Sequence, residues 1–118
     1  MTTWTETRPT VADTLMVWVR EHEDGVALVL AGELDLFTTS LVRDALDEID
    51  RNRPPRLVID LSELSFIDCA GVHLIVSEYR RARRRGCSQV EIRPGPWGVQ
   101  RVFRLAGADA ELPFRIGH

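Results

Sequence analysis

Two short apolar runs, each followed by a segment with helical spacing, constrain what this chain can fold into. Val26 to Ala31 is nearly continuous in apolar side chains and suits a central strand covered on both faces. Leu57-Val58-Ile59-Asp60-Leu61 is rich in β-branched residues and reads as a second strand. After the first run, Leu41, Val42, Ala45, Leu46 and Ile49 recur at helical spacing, which predicts a helix over about 39–51, capped by Thr38 or Thr39 and stopped by Arg53-Pro54-Pro55. After the second, Val72, Ile75, Val76, Tyr79 and Ala82 form one stripe of a helix over about 70–85 that ends at Gly86. Strands that alternate with helices imply parallel crossovers and hence an α/β sheet.

The remaining segments complete that outline. Thr14 to Glu21 alternates, with Leu15, Val17 and Val19 on one side, and Asp24-Gly25 is a hairpin signal, so two antiparallel strands open the fold and make the sheet mixed. Gln89 to Arg93 reads as a fourth strand, Val99, Val102, Phe103 and Ala106 as the stripe of a third helix ending at Gly107, and Phe114 to Ile116 as a short tail strand. Residues 1–13 read as a polar N-terminal tail and 14–118 as one domain, in keeping with a length of 118 residues.

Composition removes several classes of function. With 44% hydrophobic and 28% charged residues the chain can bury a core without staples. A net charge of -3 argues against general binding to nucleic acid or to an anionic membrane. All fifteen basic residues are arginine, which excludes P-loop, Schiff-base and other lysine-dependent chemistry. Cys69 and Cys87 lie far apart and outside any C-x-x-C pair, and His22, His73 and His118 have no ligand-like spacing, so no disulfide framework, metal or cofactor is expected. No apolar run approaches the roughly 20 residues of a membrane helix, and there is no signal-peptide pattern, so the cytoplasm is the expected location.

The joint Ser65-Phe66-Ile67-Asp68-Cys69-Ala70-Gly71 carries the chemistry worth weighing. It leads from the second strand into the second helix and places a thiol at a helix start, where free amides and the helix dipole favour negative charge. Cys69 is there either as a small buried hydrophobe or as a reactive thiol, with His73 four residues on; oxidation to a sulfinic acid would give it a charge. Asp68 reads as an N-cap, and Asp35, Glu33 and Asp60 fall at strand ends, where open α/β sheets tend to bind ligands. Arg80, Arg81, Arg83, Arg84 and Arg85 form a dense run that favours the negative end of a helix and reads as a solvated face. Trp97 and Phe103 read as loop and helix packing.

Taken together, Gly32-Glu33-Leu34-Asp35 with Thr38 or Thr39, Leu57 to Ser62, Phe66 to Gly71 and Val102 to Gly107 resemble the STAS domain of bacterial anti-sigma factor antagonists, over about 15–116. The resemblance implies a non-enzymatic single-domain switch: a mixed sheet of four to five strands with helices mainly on one face, which binds an anti-sigma factor, often a serine kinase of ATPase fold, and so frees a sigma factor. It implies a partner face of Asp35, Asp68, Cys69, Ala70, Gly71 and His73. In the family the kinase phosphorylates a Ser or Thr directly after the Asp of a D-S-S-G-like motif, and the added charge of about -1.5 to -2 disables binding. Here Cys69 stands at the acceptor position, Ala70 at the second hydroxyl, and His73 where a small glycine is frequent, so phosphorylation at Cys69 is not expected. The other role the resemblance allows is an accessory module of a stress-sensing complex or a lipid transporter.

Overall fold

A computed structural model describes residues 5–6 and 9–114. The elements run β1 (Thr5–Glu6), β2 (Thr10–Val11), β3 (Leu15–His22), β4 (Gly25–Leu34), α1 (Thr39–Arg51), β5 (Arg56–Ile67), α2 (Cys69–Arg84), β6 (Gln89–Arg93) and α3 (Trp97–Leu105). The strands form one mixed sheet in the order β1-β3-β4-β5-β6, with β2 also on β3; β3 and β4 are antiparallel, and β4, β5 and β6 are parallel. The stretch expected as a polar tail thus adds two short strands to the edge of the sheet, by pairing Thr5 and Glu6 with Glu21 and Arg20, and Thr10 and Val11 with Val17 and Met16. Of the tail strand expected at Phe114 to Ile116, Phe114 makes a single parallel bridge to Ile92, and the remainder lies outside the described residues.

The core follows from strand parity. Leu15 and Val17 of β3, Val26, Leu28 and Leu30 of β4, and Leu57, Ile59 and Leu61 of β5 point to one face, where they meet Val42, Leu46 and Ile49 of α1, Val72, Ile75 and Ala82 of α2, and Val99 and Phe103 of α3 in one cluster. All three helices therefore cover the same face of the sheet. Phe103 packs edge-on against Phe114 with ring centroids 5.1 Å apart. Trp97, expected to share in that packing, instead stands 72% exposed.

The central ladder is longer than its apolar runs. After one register shift between Val29 and Ala31 the two strands stay paired through a second between Gly32 and Glu33, with Gly32 opposite Leu64, Glu33 opposite Phe66 and Leu34 opposite Ile67. Alternation is lost there because only Leu64 and Ile67 of the β5 extension are buried. Gly32 makes the irregularity feasible: it sits at φ 109°, and a Cβ would run into the Thr14 carbonyl. No helix among the described residues is long and apolar enough to cross a membrane.

The seam between α1 and α2 holds a compact charge network rather than apolar contacts alone. One guanidinium nitrogen of Arg81 reaches Asp47 at 2.9 Å, Asp50 at 2.5 Å and Glu78 at 3.1 Å, while Arg85 binds Asp50 at 2.9 Å and the Pro54 carbonyl at 3.2 Å. Glu78 is 3% exposed. Burial, and then Asp50 beside it, push its carboxyl from 4.5 up to about 8 against the opposing pull of Arg81. As a carboxylate, Oε2 of Glu78 has no hydrogen-bond donor; protonated, it can donate to Asp50.

The folded protein therefore holds this proton more tightly than the unfolded chain does. The stability supplied is whole below 4.5 and is lost as pH rises through about 8. Thermal unfolding followed by circular dichroism is expected to show wild type losing this stability between about pH 4.5 and about pH 8. Glu78→Gln, which keeps the neutral shape, is expected to flatten that loss and to exceed wild type at the alkaline end.

Candidate functional site

The parallel pairing of Leu34 with Ile67 decides where the site forms, because the next residue of each strand is an aspartate. Asp35 and Asp68 leave the sheet side by side at the ends of β4 and β5, each at the entrance to a helix. Asp68 has extended backbone, and its carboxylate ties the two entrances together: Oδ1 accepts from the Gly71 amide of α2 at 3.0 Å, and Oδ2 from the Leu36 amide of the other loop at 3.1 Å. Its own amide donates to the Leu34 carbonyl at 3.2 Å. The N-cap role expected of Asp68 is present, with this second bond in addition.

Asp35 closes the first loop on itself. Its Oδ1 accepts from the amides of Phe37 at 2.9 Å and Thr38 at 3.0 Å, an Asx turn that satisfies two donors at the start of α1. Thr38 takes the N-cap position of α1 as expected, but its side chain makes no capping bond. Thr38 is buried and looks back into the loop, accepting from the Asp35 amide at 2.9 Å and donating to the Glu33 carbonyl at 2.9 Å. Thr39 donates to the Leu36 carbonyl at 3.2 Å. The end of β4 and the start of α1 are thereby latched by one buried hydroxyl.

On this frame the six expected face residues divide. Cys69, the first residue of α2, and His73, one turn later, are exposed, while Ala70, Asp35 and Asp68 are half-buried. Gly71 is buried, and a Cβ there would come within 2.7 Å of Ile67 Cγ1 and 2.9 Å of the Leu34 carbonyl oxygen. It sets how closely α2 can approach the sheet and offers no side chain to a partner. Beside Cys69 and His73 a groove of about 340 Å³ runs between α2 and the turn after α3, with Val72 and Val76 in its wall and the Arg80–Glu111 pair across it, joined by two bonds of 2.7 Å.

Three apolar side chains complete the corner and were not expected from the sequence. Leu36 and Phe37, held by the carboxylates of Asp68 and Asp35, are 67% and 87% exposed, and Phe66 beside Glu33 is 48% exposed. Phe66 falls in the strand extension and Leu36-Phe37 in the loop, so hydropathy alone marks them as core. The available signal was their place next to two aspartates at strand ends.

The arginine run is not a simple solvated face. Arg80 pairs with Glu111, Arg81 and Arg85 belong to the α1–α2 network, and Arg83 donates to the Tyr79 hydroxyl at 2.9 Å. Among the described residues no group of three or more His, Cys, Asp or Glu side chains could hold a metal ion.

Comparison with known proteins places this geometry. Residues 17–114 match the family model described as "Mlab, STAS domain". The chain belongs to the STAS domain family. An anti-sigma F factor antagonist of Paenibacillus polymyxa is 33% identical over 95 residues, 79% of this chain and 80% of that protein. The crystal structure of an anti-sigma factor antagonist from Mycobacterium paratuberculosis superposes with a TM-score of 0.77 at 24% identity, covering 92% of this chain and 91% of that one. The antagonist SpoIIAA in its unphosphorylated form superposes at 0.69 and 19% identity, over 85% and 88% of the two chains. These two likenesses establish the STAS fold.

Thr38 is the residue on which the corner's shape turns. Thr38→Val keeps the volume but strands the Glu33 carbonyl and the Asp35 amide, and is expected to cost about 1–3 kcal/mol in urea unfolding. Thr38→Ser is expected to recover most of that loss.

Proposed function

We propose that this STAS protein is an anti-sigma factor antagonist that docks a kinase-type anti-sigma factor through the Asp35–Asp68 corner, and that this corner has no serine or threonine acceptor to switch it off. The reading rests on one observation above the others: the two aspartates spend their hydrogen bonds on rigid loop geometry, and what that geometry presents to solvent is Leu36, Phe37, Phe66, Cys69 and His73. Large exposed apolar side chains beside polar ones are a composition that suits a protein interface. The names of similar proteins, antagonists of anti-sigma factors, supply the class of partner.

The chemistry of Cys69 sets this antagonist apart from one with serine at the same place. A phosphoserine at the first residue of α2 would bring about -1.5 to -2 charges and a large hydration shell into the interface. A thiol is not an acceptor for an ordinary protein kinase. Binding by this protein is then set by the amounts of the two partners rather than by a phosphorylation cycle.

Incubation of the purified protein with a kinase-type anti-sigma factor and labelled ATP tests the proposal. A complex without phosphate on wild type is expected, and Cys69→Ser is expected to gain label. Phe37→Ala, whose side chain is 87% exposed, is expected to weaken the complex about tenfold or more while leaving the melting temperature unchanged. Absence of a complex, or label on wild type at Ser62, Ser65 or Ser77, overturns the proposal. Recovery of transporter or scaffold subunits in place of an anti-sigma factor would assign the same corner to an accessory module.

A further inference from the structure

Two surfaces away from the Cys69 corner complement each other in charge and in apolar character. The first is a groove of about 470 Å³ along the outer side of α1, where it meets β3 and β4. Its floor is apolar, with Val26, Leu41, Ala45 and Ile49, and its rim is acidic, with Glu21, Asp44 and Glu48 all exposed. The second is the outward stripe of α3. Trp97, Arg101 and Leu105 follow one another at four-residue spacing, with Arg104 beside them. Trp97 and Leu105 are 72% and 70% exposed, and the Arg101 guanidinium lies 5.7 Å from the Trp97 ring centre.

The inner side of α3, Val99 and Phe103, already accounts for the helix's role in the core. Its outer stripe is thus an apolar and cationic ridge outside the core cluster of the described residues, in a chain whose net charge is -3. The groove offers what such a ridge lacks: apolar walls for the indole and leucine, and carboxylates for two guanidinium groups. The two cannot serve each other within one molecule, because α1 packs on β3 and α3 on β5, on opposite sides of β4.

We propose that the α3 ridge of one copy of this protein docks in the α1–β3 groove of a second copy. The contact proposed is head-to-tail: the ridge of each copy enters the groove of the next, and not that of the copy whose ridge it receives. It leaves a free ridge at one end and a free groove at the other, so it extends into longer assemblies instead of closing as a dimer. Arginine–carboxylate pairing at the rim makes the association stronger at low salt.

Sedimentation equilibrium from micromolar to millimolar protein tests this. Wild type is expected to gain average mass continuously past the dimer, and less so at high salt. The ridge variant Trp97→Ala with Arg101→Ala and the groove variant Asp44→Arg with Glu48→Arg are each expected to stay monomeric. Their equimolar mixture is expected to form a one-to-one pair and nothing larger, since each retains one intact surface. Unchanged melting temperatures exclude misfolding as the cause. A wild type that stays monomeric at millimolar concentration, a closed dimer that both variants still form, or a mixture that does not associate overturns the proposal; the first of these would assign the groove to a different protein.

Discussion

The parallel register that sets Leu34 beside Ile67 is the constraint on which the rest of this molecule depends. The apolar runs hold Val26 beside Leu57 and Leu28 beside Ile59, and the two register shifts beyond them bring Leu34 beside Ile67 with both side chains buried. With the register fixed, the two residues leaving the ladder must emerge together. Asp35 and Asp68 become neighbours through strand pairing, although they are far apart in sequence. From there each carboxylate is consumed by backbone amides, and the loops between sheet and helices lose their freedom. The corner is rigid because hydrogen bonds that would otherwise go to water are made inside it.

This division of labour explains why the exposed side chains can differ without harm to the fold. Leu36, Phe37, Cys69 and His73 hang from backbone positions that others hold, namely Asp35, Asp68, Thr38 and Gly71. A hydroxyl, a thiol or an imidazole can be exchanged at such positions at little cost in stability, since none of them is buried. The Cys69 thiol, exposed at the start of α2, is one such side chain.

Much of this was legible in the residues, and what was not has physical causes. The periods of α1 and α2, the hairpin at Asp24-Gly25 and the short runs of β4 and β5 are local signals, and the elements form where those signals lie. The extension of the ladder past Ala31 and Leu61 is not local: each half of it is poor in alternation and is held by its partner strand across two irregularities. The role of Thr38 was hidden for a related reason. A threonine before a helix is ordinarily its cap, and only the position of the Glu33 carbonyl turns the hydroxyl the other way. The arginine run shows the opposite lesson, since composition alone suggested a solvated face, whereas Asp47, Asp50, Glu78 and Glu111 bind most of it to the fold.

The network at the α1–α2 seam bears on the corner as well, because both helices that start at Asp35 and Asp68 are joined again near their other ends. Arg81 and Arg85 draw on Asp50 near the end of α1, while Asp68 joins the loop before α1 to the start of α2. Two ties at opposite ends of a helix pair resist both splaying and sliding, which one tie at either end cannot do. The Asp68 tie is a pair of single hydrogen bonds at a half-buried carboxylate, whereas the seam is an ionic network in which Asp50 and Arg85 are largely buried and Asp47 and Arg81 partly exposed. The stiffness of the Asp35–Asp68 corner therefore rests in part on residues at the far ends of α1 and α2. The buried proton of Glu78 belongs to that support: it lets three carboxylates share two guanidinium groups without leaving an uncompensated negative charge between the helices.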